Sequence, residues 1–346
     1  MSGKTTIVGV VPTTTWETAA ALGAGDGLLP IDSPWGQKGS VVFDDATGQT
    51  NKTYYTLIMD EANPSFLFEC RWDSAIWCFL ANLFGDDTKT GASPYVHTFN
   101  WQDDPALVGL TVAGYLSGST IHEYPSLKVE SISFEPADGF WNMNVSTLGD
   151  TILTGGNATN TATEFGNITY PTRAQRMRYK ANALYVNAQS GGDPVSGSAL
   201  TDVYDMAITI AREFDGNDDV LKNASTGTER RRAEPLVTGF PNITFGFSQK
   251  TADLSTHIDD LHSGNEFKAD IVMAETVGGN SYSNAIEMSL LVPVDPELNI
   301  SRGQRIPMTY NFECAAPAAV PTGHSTSNPI HWILTNNHNV TYETNA

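Results

Sequence analysis

The sequence predicts a mainly β protein, an antiparallel sandwich or barrel with a short flanking helix. Three observations carry that reading. Gly, Asn, Thr and Ser are abundant while charged residues make up only 17% of the chain, a composition of short strands and turns. Many segments alternate apolar and polar residues at period two, the mark of half-buried strands. Tight-turn signals separate them, most clearly Asp138-Gly139 between two long arms over 126–149.

Taken in order, residues 1–37 read as an N-terminal arm with a short strand at Thr5–Val11 and with Trp16 and Trp35 as anchors. Strands follow near Ser40–Phe43 and Tyr54–Met59, joined by a polar loop over 44–52. Phe66, Phe68, Cys70 and Trp72 alternate as a strand. A helix over 74–84 comes next, with Asp73 or Ser74 as its cap and Gly85 as its stop. Ile76, Phe79, Leu80 and Leu83 form one face of it, and Trp77 and Phe84 widen the apolar surface to nearly half the circumference. A short helix this apolar has to lie between a sheet and something else, whereas Asp86-Asp87 beyond it reads as a solvated loop.

His97, Phe99 and Trp101 then alternate, and Leu107–Ala113 is a strand. The ribbon over 126–149 follows. In its first arm Leu127 and Val129 share one phase and Ile132 and Phe134 the other, which predicts a bulge or a change of sheet near Glu130. Its second arm sets Trp141, Met143 and Val145 against Asn142, Asn144 and Ser146. Residues 151–167 read as a loop or linker, and a boundary is placed nearby, giving β units over 38–170 and 171–346. In the second, Tyr204–Ile210, Ile243–Phe247, Phe267–Met273, Ile286–Val292, Ile306–Cys314 and Ile330–Leu334 read as strands. A short helix near 253–262 has Leu254, Ile258 and Leu261 at helical spacing, Asp253 as cap and Gly264 as stop. Strand, helix, Gly, then strands occurs in both halves at the level of pattern, which leaves a duplication and a single larger unit both open.

The totals exclude several functions. The 39 acidic and 19 basic residues give a net charge of −20, which repels a nucleic-acid backbone. Cys70, Cys78 and Cys314 fit neither a disulfide framework nor a zinc pattern and read as small buried residues. No signal peptide and no apolar run of membrane-spanning length is expected, which implies synthesis in a cytoplasm.

Site motifs are mostly nulls, and no catalytic, cofactor-binding or metal-ligating residue is assigned. His257 and His262 lie five apart and so do not share a helix face. The run from Asp215 to Asp219 begins like a calcium loop but has Val220 where the turn needs Gly and Thr226 where a bidentate Glu belongs. Asp103-Asp104 and Asp259-Asp260 serve acid–base chemistry only inside a cleft that raises one pKa. Arg230-Arg231-Arg232, flanked by Glu229 and Glu234, reads as a salt-bridged loop or subunit contact.

Four segments resemble the tail tube (major tail) proteins of long-tailed bacteriophages. They are GVVPTTTWETAAA at the start, RWDSAIWCFLANLFGDD with YVHTFNW, IHEYPSLKVESISFEPADGFWNMNVSTLG, and ALTDVYDMAITIAREFD with EPLVTGFPNITFGFS. Together they cover about two-thirds of the chain. The resemblance implies a β-sandwich or barrel of the tail-tube type and a virion protein made in the host cytoplasm. It also implies assembly with itself into stacked rings around passing double-stranded DNA, other tail proteins at the tube ends, and no membrane. It implies no catalysis and no cofactor. The arm over 1–37 and the loop over 44–52 become candidates for ring-to-ring contacts. Rings of three chains follow if the halves are duplicates, six if not. Two alternatives stay open: a carbohydrate-binding or carbohydrate-active β-sandwich using exposed Trp and Asp pairs, and another virion component such as a tail terminator or capsid decoration protein.

Overall fold

The computed structural model describes residues 7–33, 35–36, 38–43, 55–103, 105, 109–116, 120–215, 219–221, 230–232, 234–249, 260, 262–298 and 308–343. The protein is mainly β, a large antiparallel sheet with few short helices. Its first strands are β1 (Ile7–Thr13), β2 (Gly27–Leu28), β3 (Pro30–Asp32), β4 (Lys38–Phe43), β5 (Tyr55–Glu61) and β6 (Ser65–Glu69). Helix α1 (Trp77–Phe84) precedes β7 (Thr88–Thr90), β8 (Tyr95–Asn100), β9 (Gly109–Leu116), β10 (Thr120–Ala137), β11 (Phe140–Gly149) and β12 (Leu153–Thr154). After helix α2 (Ala162–Asn167) come β13 (Asn182–Ala188), β14 (Val203–Ala211), β15 (Asp219–Leu221), β16 (Arg230–Arg232) and β17 (Asn242–Gln249). The last strands are β18 (Phe267–Val277), β19 (Asn280–Leu298), β20 (Met308–Ala315) and β21 (Ile330–Asn336).

The ribbon of β10 and β11 is the hub. Asp138 and Gly139 both have positive φ (52° and 81°), the twist a two-residue hairpin turn requires. The phase change expected near Glu130 is a register shift between Val129 and Ser131. Before it β10 pairs with β9; after it the same edge pairs with β14, from Ser131↔Ala211 to Phe134↔Ile208. The bulge therefore lets one strand serve two neighbours in succession.

Most pairings of the first half recur in the second. β1 pairs with β9 as β13 does with β18, and β9 with β10 as β18 with β19. β10 pairs with β11 as β19 does with β20, and β11 with β6 as β20 with β17. β6 pairs with β3 as β17 does with β14, and both ladders slip at one point, between Pro30 and Asp32 and between Val203 and Asp205. β12 and β21 each lie beside the near half of the long strand. The hairpins β4–β5 and β15–β16 fall at the same step, and so do α1 and the helical residues Asp260, His262 and Ser263.

All eight residues of α1 are buried, so it is enclosed on every side rather than flanking. The sheet packs against it: the Trp332 ring of β21 lies 4.6 Å from Phe134 of β10 and 6.2 Å from Trp77. Gly85 ends the helix at φ 81°, its N–H donating to the Ala81 carbonyl. The start differs from expectation. Ile76 is the N-cap with no side-chain bond, Ser74 accepts only from the Ile76 N–H at 3.3 Å, and Asp73 faces elsewhere. Its carboxylate accepts from the Asn337 N–H at 2.8 Å and the Tyr282 hydroxyl at 2.9 Å, pinning the C-terminal segment. At the other end Arg212 bonds the Leu83 and Phe84 carbonyls and stacks 3.8 Å over Trp101, satisfying orphan helix acceptors.

Two other expectations change. Asp87 is buried, not solvated: it accepts from the Tyr342 N–H at 2.6 Å and sits 3.0 Å from His97 Nδ1. The 151–167 stretch is packed, not a free linker. Buried Glu123 accepts from the Thr159 and Asn160 N–H groups at 2.9 Å, and Asn160 in turn accepts from the Leu22 N–H. Thr161 and Glu164 form a capping box on α2, a Thr-x-x-Glu signal that the sequence carries. The N-terminal segment is built into the sheet from Ile7, with Val8 and Val10 fully buried. The 44–52 loop and most of the 253–262 helix lie outside the described residues.

Candidate functional site

One path through the ladders crosses eight strands in the order β3–β6–β11–β10–β14–β17–β20–β19. One face of this sheet is core. Phe66, Met143, Ile132, Ile208, Phe245 and Phe312 all point into it and are buried. Because side chains alternate across a strand, the other face carries their neighbours. A single row of cross-strand partners on that face reads Leu67, Asn144, Ser133, Thr209, Thr244, Glu313 and Val292. Adjacent rows bring Ser65, Ser146, Ser131, Ala211 and Asn242, and then Ala207, Gly246, Asn311 and Val294.

The face is therefore built from short, mostly uncharged polar side chains. Among the described side chains its charges are carboxylates: Asp32, Glu69, Glu135, Asp205 and Glu313. No Lys or Arg occurs in β6, β11, β14, β17, β19 or β20, nor in β10 beyond its bulge. Glu69 is held by Arg176 and Arg71 at one margin; no ion pair joins the other four to a described cation. Cations are placed elsewhere: Lys128, Lys268 and Arg212 are buried, and the exposed ones among the described residues are Arg173, Arg178, which pairs with Glu275, and Lys180. Such a surface offers an anionic polymer hydrogen-bonding water but no cationic grip.

Among the described residues the sheet ends in two open edges. β3 pairs only with β6, and β19 has no described partner beyond Leu291 on the edge that β18 occupies before it. Ile31 is 53% exposed and Val292 39%, so both edges present apolar side chains as well as unpaired backbone groups.

Ser289 Oγ lies 3.3 Å from His324 Nδ1, and His324 Nε2 lies 3.0 Å from Asp270. This Ser–His–Asp grouping is closed: Ser289 is 0% exposed and its hydroxyl donates to the Thr326 carbonyl. Together with Glu287, which accepts from Ser325 and lies 3.0 Å from His331, it fastens the 322–328 loop onto β18 and β19. Burial pushes the Asp270 carboxyl above its ordinary range, and His324 opposes that.

Among the described residues no group of His, Cys, Asp and Glu has metal-site geometry. His262 and Asp103 are exposed, while His257, Asp104 and Asp259 lie outside the described residues, as does most of the calcium-like run. Arg230–Arg232 form strand β16 between β15 and β5. The three cysteines are buried and free. None of the seven tryptophans is exposed, so the exposed-Trp basis of a glycan-binding surface is missing. No described helix is long and apolar enough to cross a membrane. The sequence matches none of the protein-family models and none of the curated proteins against which it was compared.

Proposed function

We propose that this chain assembles with itself into stacked rings that form the tail tube of a long-tailed bacteriophage virion. The continuous eight-strand face without Lys or Arg carries the reading, because a DNA channel needs a wall that holds water and repels phosphate. The net charge of −20 and the two open sheet edges support it, as do the four segments that resemble tail tube proteins. The recurrent pairing order supports a duplicated tail-tube unit, one copy ending near 170, so that three chains supply six units per ring. Double-stranded DNA passes without specific binding, other tail proteins meet the tube ends, and the chain needs no cofactor and performs no catalysis.

Negative-stain microscopy of the purified full chain tests the proposal. Long uniform tubes are the expected result. Discrete single rings, as a tail terminator or decoration protein would give, or monomers at every concentration would overturn it.

A further inference from the structure

We infer that β3 of one copy pairs with the far half of β19, Val292–Leu298, of the next copy. The inference deepens the self-assembly reading above and rests on it. It comes from a ladder between corresponding strands whose counterpart is not among the described pairings. Among the six pairs of corresponding strands β1/β13, β3/β14, β6/β17, β9/β18, β10/β19 and β11/β20, each described pairing within the first half has a counterpart within the second, while β10, beyond its bulge, pairs across the halves with β14. Under the same correspondence β10 matches β19 and β14 matches β3. The equivalent of the β10–β14 ladder is therefore β19–β3.

Those two strands lie at opposite ends of the eight-strand sheet, so the missing ladder forms between copies. Each edge is suited to it. β3 has the same one-residue slip against β6 that β14 has against β17. β19 outlasts β18 as β10 outlasts β9, and each is shifted in register against its hairpin partner just beyond, between Val294 and Glu297 and between Val129 and Ser131. The exposed Ile31 and Val292 lie on these edges, where a neighbouring strand would cover them. A head-to-tail contact of this kind closes into a ring when the rotation permits, and the polar face then runs uninterrupted from one chain to the next.

Two measurements on the full chain test the pairing. Ile31→Lys and Val292→Lys, each on an exposed side chain, should leave the monomer melting temperature within about 2 °C of wild type while raising the concentration needed for assembly roughly tenfold or more. Benzoylphenylalanine at position 31, photolysed in assembled protein, should crosslink to the peptide containing 292–298 of a second copy. Both substitutions assembling like wild type, or crosslinks to another surface of a second copy, would overturn the edge assignment and leave the tube reading standing. A chain that never assembles would overturn both.

Discussion

Ser131 of β10 stands directly opposite Ala211 of β14, and Ile132, next along, opposite Ile210. These pairs form a seam between the halves of the chain, with both isoleucines fully buried. A seam of backbone bonds over a shared apolar core couples the halves, so they unfold together. Calorimetry should show one transition, with calorimetric and van't Hoff enthalpies equal. Two resolved transitions would mean that the halves fold independently.

Arg212 lies at the same seam and reaches the buried end of α1. Burial draws its guanidinium down to about 10, and it stays charged at neutral pH. Replacing it with Met removes this donor from the Leu83 and Gln102 carbonyls and leaves the Phe84 carbonyl only the Gln102 N–H. The Arg212→Met variant should lose about 3–5 kcal/mol in urea unfolding; a loss under about 1 kcal/mol would show that water replaces the cap.

Acid sensitivity has two opposed sources near the C-terminus. Burial, then the charges of His97 and Lys89, draws His338 down to about 4. Burial, with Asp86 and Asp87 nearby, pushes Glu343 up to about 7. Between about pH 4.5 and 6.5 the unfolded chain binds more protons at His338, so that group makes stability rise with pH. The folded chain binds more at Glu343, which makes stability fall with pH. The Glu343→Gln variant should therefore gain melting temperature from pH 5 to 6.5, and His338→Phe should lose it. Parallel slopes in the two variants would contradict the assignment.

The sheet face should tolerate charge structurally and respond to it functionally. Thr244→Lys and Glu313→Lys place cations on exposed positions of adjacent strands. Stability should change by no more than about 0.5 kcal/mol for each. Assembled protein should begin to retain DNA in mobility assays, and the retention should weaken with salt by roughly 0.9 in log–log slope per new phosphate contact. Unchanged DNA binding would mean that this face does not meet DNA.

Much of the sheet was legible because period-two alternation is a local signal. The Trp141, Met143, Val145 phase and the change at Glu130 both survive in the structure. What escaped was set by distant partners. Nothing near Glu123 announces that it will hold Thr159 and Asn160, and Asp87 looks like a solvated acid until Tyr342 and His97 enclose it. β13 went unread because Asn182-Ala-Leu-Tyr-Val-Asn-Ala188 alternates only weakly and is completed by β18. The candidate face was half visible: Asn142, Asn144 and Ser146 mark a polar phase, but alternation does not say which strands lie side by side. The pairing order supplied that.

In the proposed tube one sheet passes from chain to chain around a DNA channel. Electron cryomicroscopy of the assembled protein tests it most directly. Rings of three chains joined β3 to β19, with Ser133, Thr209, Thr244 and Glu313 lining the lumen, are the expected result. Rings of six chains, or the same residues on the outer surface of the tube, would contradict it.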